Sequence, residues 1–345
     1  MAVDLEASRK PLEQFLEREL ASPCRIVRME RMSGGTVQQN WLIETEVDGS
    51  PKKFALRTGP ALGVADSLPA ADEYEVIAAA AAAGVRVARP VAVSRDDSVI
   101  GAPLFITAFI EGESRPWKLQ RTPEIMARGP ALLEEIGTEL AHLQTVRPDT
   151  TKLRGLRPPA PDAARAAIAE MRDYLDRHDH PHPAIEYALR WLELNAPPPV
   201  PPVLCHGDFR IGNVMIADGH LAAILDWELA RWGDPHEDIG WFCMRFFRFG
   251  RPDLSGGGVG DRAALLRGWE KTRGTKIDLA LVRYWDIMAS TRWAVISLQQ
   301  VARHVSGAES SLELALVGLG TAEMEIEFLT RLERERRIAA GQGRA

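Results

Sequence analysis

The sequence has 345 residues, enough for two lobes or domains, and its 26% charged and 46% hydrophobic residues are ordinary for a soluble globular protein. A formal net charge of −6 argues against general nucleic-acid binding, because that function favours a basic surface. The three cysteines form no CxxC pair, and the sequence has neither a recognisable signal peptide nor an apolar run of membrane-spanning length. We therefore expect a cytoplasmic protein with no membrane contact, no disulfide framework and no structural zinc.

The N-terminal part of the chain predicts a small antiparallel sheet with a glycine-containing loop. Apolar spacing over residues 4–20 indicates an amphipathic helix, and residues 25–31, 40–47 and 53–57 are typical of strands. The polar loop that joins the first two strands contains Ser33, Gly34, Gly35 and Thr36. Glycine lets backbone N–H groups approach a phosphate closely, so the loop is a candidate nucleotide site, although taken alone a plain turn is the commoner explanation.

Two charged residues follow at positions that suit a nucleotide site. Arg57 ends the third strand after an apolar run, and Glu73 lies on a helix that begins near Pro69 and stops at Gly84. Glu73 shares a helix face with apolar residues, so its carboxylate is able to point inward. We expect Arg57 to contact the nucleotide phosphates and Glu73 to hold Arg57 in place.

A short connector marks the predicted boundary between two lobes. Strands are expected over residues 91–94 and 104–110, and the second strand leads into a polar connector at residues 111–113. This divides the chain into an N-terminal nucleotide-binding lobe, residues 1–111, and a helical C-terminal lobe, residues 112–345. Helices of the second lobe are predicted over residues 131–146, 162–177, 261–272, 279–304 and 309–340.

The stretch from residue 204 to residue 240 carries the strongest chemical signal. Two apolar runs around an Asp-Gly turn predict a β-hairpin, whose antiparallel arms bring Asn213 and Asp226 to the same end. Asp208 precedes the hairpin in a loop and is able to face them. Carboxylate and amide oxygens are ligands that Mg²⁺ prefers, so we expect Asn213 and Asp226 to hold that ion.

This order of residues suits phosphoryl transfer, in which positioning, metal and charge neutralisation do most of the catalysis. Asp208 would accept or orient the proton of an acceptor hydroxyl, and Arg210 would neutralise the transferring phosphate. His206 is interpreted as a packing residue, because Asp208 occupies the better position for a base. Asp238 is expected to cap a helix or to brace the catalytic loop. Each motif alone is weak, and the ordered set carries the prediction.

The motifs resemble those of the aminoglycoside phosphotransferase and choline kinase group, in particular its broad phosphotransferase branch, which includes the kinase-like domains fused to some acyl-CoA dehydrogenases. The resemblance rests on HGDFRIGN, ILDWELARWGDPHEDIGW, SGGTVQQN, FALR and the Glu73 helix, and it covers nearly the whole chain. It implies an α+β, protein-kinase-like bilobal fold. It also implies ATP, or GTP as the alternative, bound between the lobes.

The resemblance also implies where the adenine binds, and the chain departs from the family pattern at two points. The adenine would pair with the backbone of the segment that contains Thr107, Ala108 and Phe109. The strand cation is Arg57 rather than the usual lysine, and the glycine loop is not a G-x-G-x-x-G. Both departures concern the binding of the nucleotide and leave the predicted metal ligands unchanged.

The acceptor is expected to be a small molecule with a hydroxyl group. After Gly240 the chain interleaves three arginines with three phenylalanines, which favours an anionic or partly apolar acceptor such as a hydroxy acid or a hydroxyacyl thioester. These residues are Arg245, Arg248, Arg251, Phe246, Phe247 and Phe249. An aminoglycoside-type antibiotic phosphotransferase and a nucleotide-binding pseudokinase or interaction module remain alternatives. A protein kinase is less favoured, because no activation segment ending in APE follows Asp226. The sequence leaves the oligomeric state open.

Overall fold

The computed structural model describes residues 5–32, 39–59, 67–177 and 180–342. The helices are α1 Arg9–Leu20, α2 Ala70–Ala82, α3 Pro116–Leu119, α4 Pro123–Ala127, α5 Gly129–Leu143, α6 Ala163–Leu175, α7 Pro183–Leu194, α8 Glu237–Cys243, α9 Arg262–Arg273, α10 Leu279–Val305, α11 Leu312–Val317 and α12 Gly320–Ala339. The strands are β1 Cys24–Arg31, β2 Gln39–Val47, β3 Ser50–Thr58, β4 Pro90–Ser94, β5 Leu104–Ala108, β6 Val203–Cys205, β7 Val214–Ala217, β8 His220–Ile224 and β9 Arg231–Gly233. This distribution confirms the predicted α+β architecture, with a sheet-rich part followed by a mostly helical part.

The N-terminal sheet places Arg57 at its inner end. Five strands pair antiparallel in the order β1-β2-β3-β5-β4, and Arg57 lies opposite Asn40 on one side and Phe105 on the other. Apolar residues of the sheet alternate with exposed ones and form a core with α1, in which Leu12, Ile43 and Leu56 are fully buried. The sheet therefore holds the Arg57 backbone rigidly from both sides.

Helix α2 links the sheet-rich part to the helical part. Its buried residues Val76, Ile77 and Ala80 join the same apolar cluster as Phe105 of β5 and the buried side of α5. Glu73 lies one turn earlier on this helix and is also buried. The burial of an apolar helix face therefore carries a carboxylate into the interior beside Arg57.

The helical part is built on close helix crossings. α5 and α9 cross where glycines replace side chains: a Cβ at Gly137 would lie 2.0 Å from the Leu265 carbonyl oxygen, and a Cβ at Gly268 would lie 2.0 Å from that of Glu134. The long helix α10 packs against α8 and α12 and contributes to a second apolar cluster with Trp241 and Phe328. Within the described residues, no helix combines the length and the apolar character that a membrane span needs.

The predicted single helix over residues 309–340 is wrong, because the chain forms α11 and α12 with a break between them. The break falls at Gly318, where a Cβ would lie 1.9 Å from the Val301 side chain of α10. The Val301 side chain therefore occupies the space that a Cβ at this position would take. Strand β9 was not predicted from the sequence, and its three residues pair antiparallel with β6.

Candidate active site

The hairpin β7–β8 brings Asn213 and Asp226 together as its pattern indicated. Val214 pairs with Ile224, and the Leu225 N–H donates to the Asn213 carbonyl oxygen at 2.8 Å. The turn residues Asp218 and Gly219 both have positive φ, 50° and 75°, which is the conformation that tight two-residue hairpins require. Two residues that are thirteen positions apart in sequence therefore end at one edge of the cleft.

Asp208 lies beside Asn213 and is held by three N–H donors. The Asn213 amide donates to the Asp208 carboxylate at 2.8 Å and to its backbone carbonyl at 2.9 Å. Arg210 donates its Nε–H to the same carboxylate oxygen, Oδ2, at 2.8 Å, and the indole of Trp241 donates to the other, Oδ1, at 2.9 Å. The structure therefore brings Asp208, Arg210 and Asn213 together and adds Trp241, which the sequence analysis did not single out.

The loop that carries Asp208 is fixed from below by Asp238. The two carboxylate oxygens of Asp238 accept the backbone N–H groups of His206, at 2.7 Å, and Gly207, at 3.0 Å. His206 is fully buried, and its ring lies 4.6 Å from that of Trp227. Of the two expectations for Asp238, bracing the catalytic loop is the one that the geometry supports, and His206 packs in the core as interpreted.

Arg57 connects the two halves of the site through three carboxylates. One terminal nitrogen of its guanidinium lies 2.9 Å from Glu73, and the other lies 2.8 Å from both Asp226 and Glu228. Glu73 is almost completely buried, whereas Asp226 keeps about a third of its side chain exposed toward the cleft, 35%. The predicted pairing of Arg57 with Glu73 is therefore present. Glu228, two residues after Asp226, is a partner that sequence reasoning missed.

The charges of this cluster shift the pKa values of its members in different directions. Burial raises the pKa of Asp226, but the adjacent Arg57 guanidinium outweighs burial and lowers it overall, so Asp226 stays ionised. Burial raises the pKa of Glu73 to about 8, and the negative charges of Asp226 and Glu228 act in the same direction. Glu228 has a raised pKa mainly through burial and then through Asp226. Asp226 is thus the carboxylate best prepared to ligate a cation.

The oxygen atoms at the hairpin end fit a magnesium ion that is bound mainly by other ligands. Asn213 directs both of its amide N–H bonds to Asp208, which leaves its Oδ1 as the atom able to face a cation beside Asp226. No cluster of three or more His, Cys, Asp or Glu side chains able to hold a metal is found among the described residues. An incomplete protein shell suits Mg²⁺, which usually keeps waters and takes substrate phosphates as ligands.

In the segment predicted to bind adenine, part of the backbone already makes hydrogen bonds within the protein. Ala108 donates its N–H to the Arg89 carbonyl oxygen at 2.9 Å, and Phe109 donates to that of Lys53 at 3.1 Å. Thr107 is buried within β5. The N–H groups of Ala108 and Phe109 are therefore already used within the protein and are not free to pair with an adenine.

The glycine loop lies outside the part of the chain that the structure describes. This applies to the predicted phosphate-binding residues Ser33, Gly34, Gly35 and Thr36. Their proposed role stays a prediction from the sequence. The strands on either side, β1 and β2, pair antiparallel with Arg31 opposite Trp41.

The arginines that follow Gly240 do not form a common anion site in the described structure. Arg248 is buried and donates to the carbonyl oxygens of Cys243 and Pro252, and Arg251 lies near Asp253. Arg245 lies 3.5 Å from Glu323 on α12. The cation nearest to Asp208 is instead Arg210, whose guanidinium carbon lies 5.4 Å from the Phe247 ring centre.

A model of the phosphotransferase enzyme family matches residues 28–275. The mouse protein acyl-CoA dehydrogenase family member 10 is 25% identical over 254 residues, which is 72% of this chain and 23% of that protein, so the chain spans about a quarter of its length.

Solved structures share the fold at low sequence identity. A Ralstonia eutropha JMP134 protein assigned to the aminoglycoside phosphotransferases superposes with a TM-score of 0.76 at 24% identity, covering 96% of this chain and 99% of that one. A thermostable mutant of the aminoglycoside phosphotransferase APH(4)-Ia, solved with AMP-PNP and hygromycin B, gives a TM-score of 0.60 at 19% identity, covering 93% and 98%. The predicted kinase-like bilobal fold is confirmed.

Proposed function

Because this chain belongs to the phosphotransferase enzyme family, we propose that it transfers the γ-phosphoryl group of ATP to a hydroxyl of a small molecule, with Mg²⁺ as cofactor. The observation that carries the proposal is the meeting of Asp208, Asn213 and Asp226 with Arg57 across one cleft. Phosphoryl transfer needs a base for the hydroxyl, ligands for the metal and a cation for the phosphates, and these four residues supply them.

The proposed reaction assigns one task to each residue. Asp208 takes the proton of the acceptor hydroxyl. At the same time the oxygen of that hydroxyl forms a new bond to the γ-phosphorus. The bond between that phosphorus and the β–γ bridging oxygen breaks, and ADP leaves. Asn213 and Asp226 would hold Mg²⁺, which when bound would neutralise the charge that develops on the phosphates. Arg210, fixed beside Asp208, would stabilise the transferring group.

Nucleotide binding requires Arg57 to share its bonds with the phosphates. Arg57 lies with its three carboxylate partners at 2.8–2.9 Å, and a metal-bound Asp226 would release one of them. Glu73 would keep the guanidinium in place, and the loop Ser33–Thr36 would cover the phosphates. The adenine would meet the backbone of Thr107, Ala108 and Phe109, with GTP as the alternative nucleotide. A relative of the same fold binds AMP-PNP, which supports this choice.

An anionic or hydroxyacyl-type molecule is the acceptor that we favour. Arg210 beside Asp208 gives the acceptor side a positive charge, and the acyl-CoA dehydrogenase name of the mouse relative is compatible with acyl thioesters. The aminoglycoside alternative is supported by hygromycin B in a relative that shares only the fold. The three arginines after Gly240 give no support to either acceptor, because their bonds are made within the chain.

The test is a transfer screen with Mg·ATP that includes hydroxy acids, hydroxyacyl thioesters and hygromycin B. Asp208→Ala should abolish transfer while sparing Mg·ATP binding, whereas Asp226→Ala should weaken metal-dependent nucleotide binding. Asp176→Ala, at the exposed end of α6, serves as the matched control and should behave as wild type. Unchanged turnover in the Asp208 variant would sink the mechanism, and nucleotide binding without transfer to any acceptor would favour the pseudokinase alternative.

A further inference from the structure

Trp241 donates a hydrogen bond to Asp208, a role that its position in an apolar stretch of the sequence does not indicate. It lies on α8, is only 6% exposed, and its indole Nε1–H donates to Oδ1 of Asp208 at 2.9 Å. Its ring packs against Phe247 and Trp293, with ring centres 5.7 Å away in both cases. The aromatic contacts fix the plane of the indole, and the plane fixes the direction of its single N–H.

The hydrogen bonds of Asp208 leave one direction open for a substrate. A carboxylate offers about four lone-pair sites, two on each oxygen. Oδ2 accepts from Arg210 and from Asn213, each at 2.8 Å, so both of its sites are occupied. Oδ1 accepts from Trp241 alone among the described residues, so one site on that oxygen remains.

We propose that Trp241 is a positioning residue, whose N–H orients the Asp208 carboxylate so that the remaining lone pair on Oδ1 receives the acceptor hydroxyl. The proposal rests on the phosphotransfer function proposed above. Trp241 acts through Asp208, and the acceptor hydroxyl approaches on the side of the carboxylate that the indole defines.

Backbone contacts hold the Trp241 indole and the Asp208 carboxylate in a fixed relative position. Asp238, on the same helix as Trp241, accepts the N–H groups of His206 and Gly207 just before Asp208. Gly207 has a φ of 84°, and a Cβ there would lie 2.0 Å from the Leu229 carbonyl oxygen, so this turn is tightly specified. One short helix therefore supports the catalytic loop from below and orients its carboxylate from the side.

The kinetic test compares two matched substitutions in one apolar cluster. Trp241→Phe keeps an aromatic ring and removes the N–H, and we expect kcat to fall about tenfold or more with little change in the KM for ATP. Trp285→Phe is the control, because Trp285 lies in the same apolar cluster as Trp241 and its Nε1 is buried without a hydrogen-bond partner among the described residues. It should leave kcat within about twofold of wild type. Equal losses in both variants would overturn the proposal, since the effect would then come from packing.

A spectroscopic test decides the question without turnover. The chain has nine tryptophans, so ¹⁵N-labelled protein gives nine indole N–H signals, and the Trp241 and Trp285 signals are identified by their loss in the two Phe variants. In Asp208→Ala we expect the Trp241 signal to move upfield as its acceptor disappears and the Trp285 signal to stay. If Trp241→Phe does not fold, the Trp285 signal is still identified by its loss in Trp285→Phe, and one of the other eight signals must move upfield in Asp208→Ala.

The two tests keep the positioning role separate from the function itself. A Trp241 signal that is unmoved in Asp208→Ala would overturn the positioning role even in an active enzyme. A signal that moves in a protein that transfers phosphate to no acceptor would overturn the proposed function and leave the Trp241–Asp208 contact established.

Discussion

Arg57 shows why a guanidinium, rather than an ammonium, suits this position. Its two terminal nitrogens lie against Glu73 on one side and against Asp226 and Glu228 on the other, at 2.8–2.9 Å. A planar fork is able to span carboxylates on two lobes, whereas a lysine ammonium acts as a compact point charge. An arginine in place of the usual lysine is therefore able to bind Glu228 in addition to Glu73 and Asp226.

Substitutions at Arg57 should separate charge from geometry. Arg57→Met leaves Glu73, Asp226 and Glu228 without their cation, and removing one partner of a largely buried charge cluster costs about 3 kcal/mol of unfolding free energy. Arg57→Lys should cost less, because it keeps the charge. Urea denaturation of the two variants beside wild type measures the difference. Arg95→Met, which removes an arginine from an exposed ion pair, is the control and should change stability by under about 1 kcal/mol.

The outcome that contradicts this interpretation is a lysine variant as unstable as the methionine variant. It would mean that the shape of the fork, rather than its charge, holds the three carboxylates. A stable methionine variant would mean that the cluster is protonated or solvated when Arg57 is absent.

The residues of the site differ in how far the sequence revealed them. Asp208, Asn213 and Asp226 were predicted because the hairpin brings Asn213 and Asp226 to one end and the preceding loop places Asp208 beside them. Glu228 and Trp241 were missed, because a carboxylate in a loop and a tryptophan in an apolar run are usually explained by solvent and by packing. Arg248 was predicted to favour an anionic acceptor, but its N–H groups donate to the carbonyl oxygens of Cys243 and Pro252. The spacing of residues in the sequence does not reveal these contacts.

At the scale of elements, the predictable features are those with a local cause. The β7–β8 hairpin follows from Asp218 and Gly219, whose positive φ values specify a tight turn. The break between α11 and α12 coincides with a distant contact, since the Val301 side chain of α10 lies where a Cβ of Gly318 would stand. A single sequence reveals local features such as turn residues, but it does not reveal contacts between residues that are far apart in the chain.

The α5–α9 crossing gives a prediction about glycine that opposes helix propensity. In an open helix, replacing glycine with alanine stabilises by about 1 kcal/mol. At Gly137 the new Cβ would meet the Leu265 carbonyl oxygen at 2.0 Å, a backbone atom of the facing helix. We expect Gly137→Ala to destabilise the protein by about 1–3 kcal/mol, as overpacking does in other cores. Thermal and urea unfolding provide the measurement.

A control on the same helix separates propensity from crowding. Ala131 is exposed on α5, so Ala131→Gly should cost only the helix propensity of about 1 kcal/mol. If Gly137→Ala instead stabilises the protein, the two helices do not approach as closely as the structure has them.

At the scale of the whole molecule, the two lobes share one core. Val76 and Ile77 of α2 and Phe105 of β5 belong to the apolar cluster that also contains Leu140 and Phe242 of the helical part. The predicted lobe boundary at residue 111 is thus a division of the chain, while the packing crosses it. Cooperative unfolding follows, because opening either lobe exposes part of the common core.

The three buried cysteines make this cooperativity measurable. Burial, assisted by Glu17 and Glu13, raises the pKa of Cys24 to about 11, and burial raises that of Cys243 to about 12 and that of Cys205 in the same direction. At pH 8, below these raised pKa values, the native thiols stay mainly protonated and unreactive. In the unfolded chain, where a thiol pKa is about 8.5, a substantial fraction of each thiol is ionised at pH 8, so labelling is fast.

Iodoacetamide labelling at pH 8 across a urea series, with each cysteine quantified by mass spectrometry, tests the shared core. Cys24 lies in the apolar cluster of the N-terminal sheet, and Cys243 lies in the shared cluster, so each reports its own region. We expect both to become reactive over the same urea range, because unfolding of the sheet removes Phe105 and the α2 face from the common core. Labelling of Cys24 at clearly lower urea would mean that the sheet unfolds by itself. In that case the packing across residue 111 would contribute too little to couple the lobes.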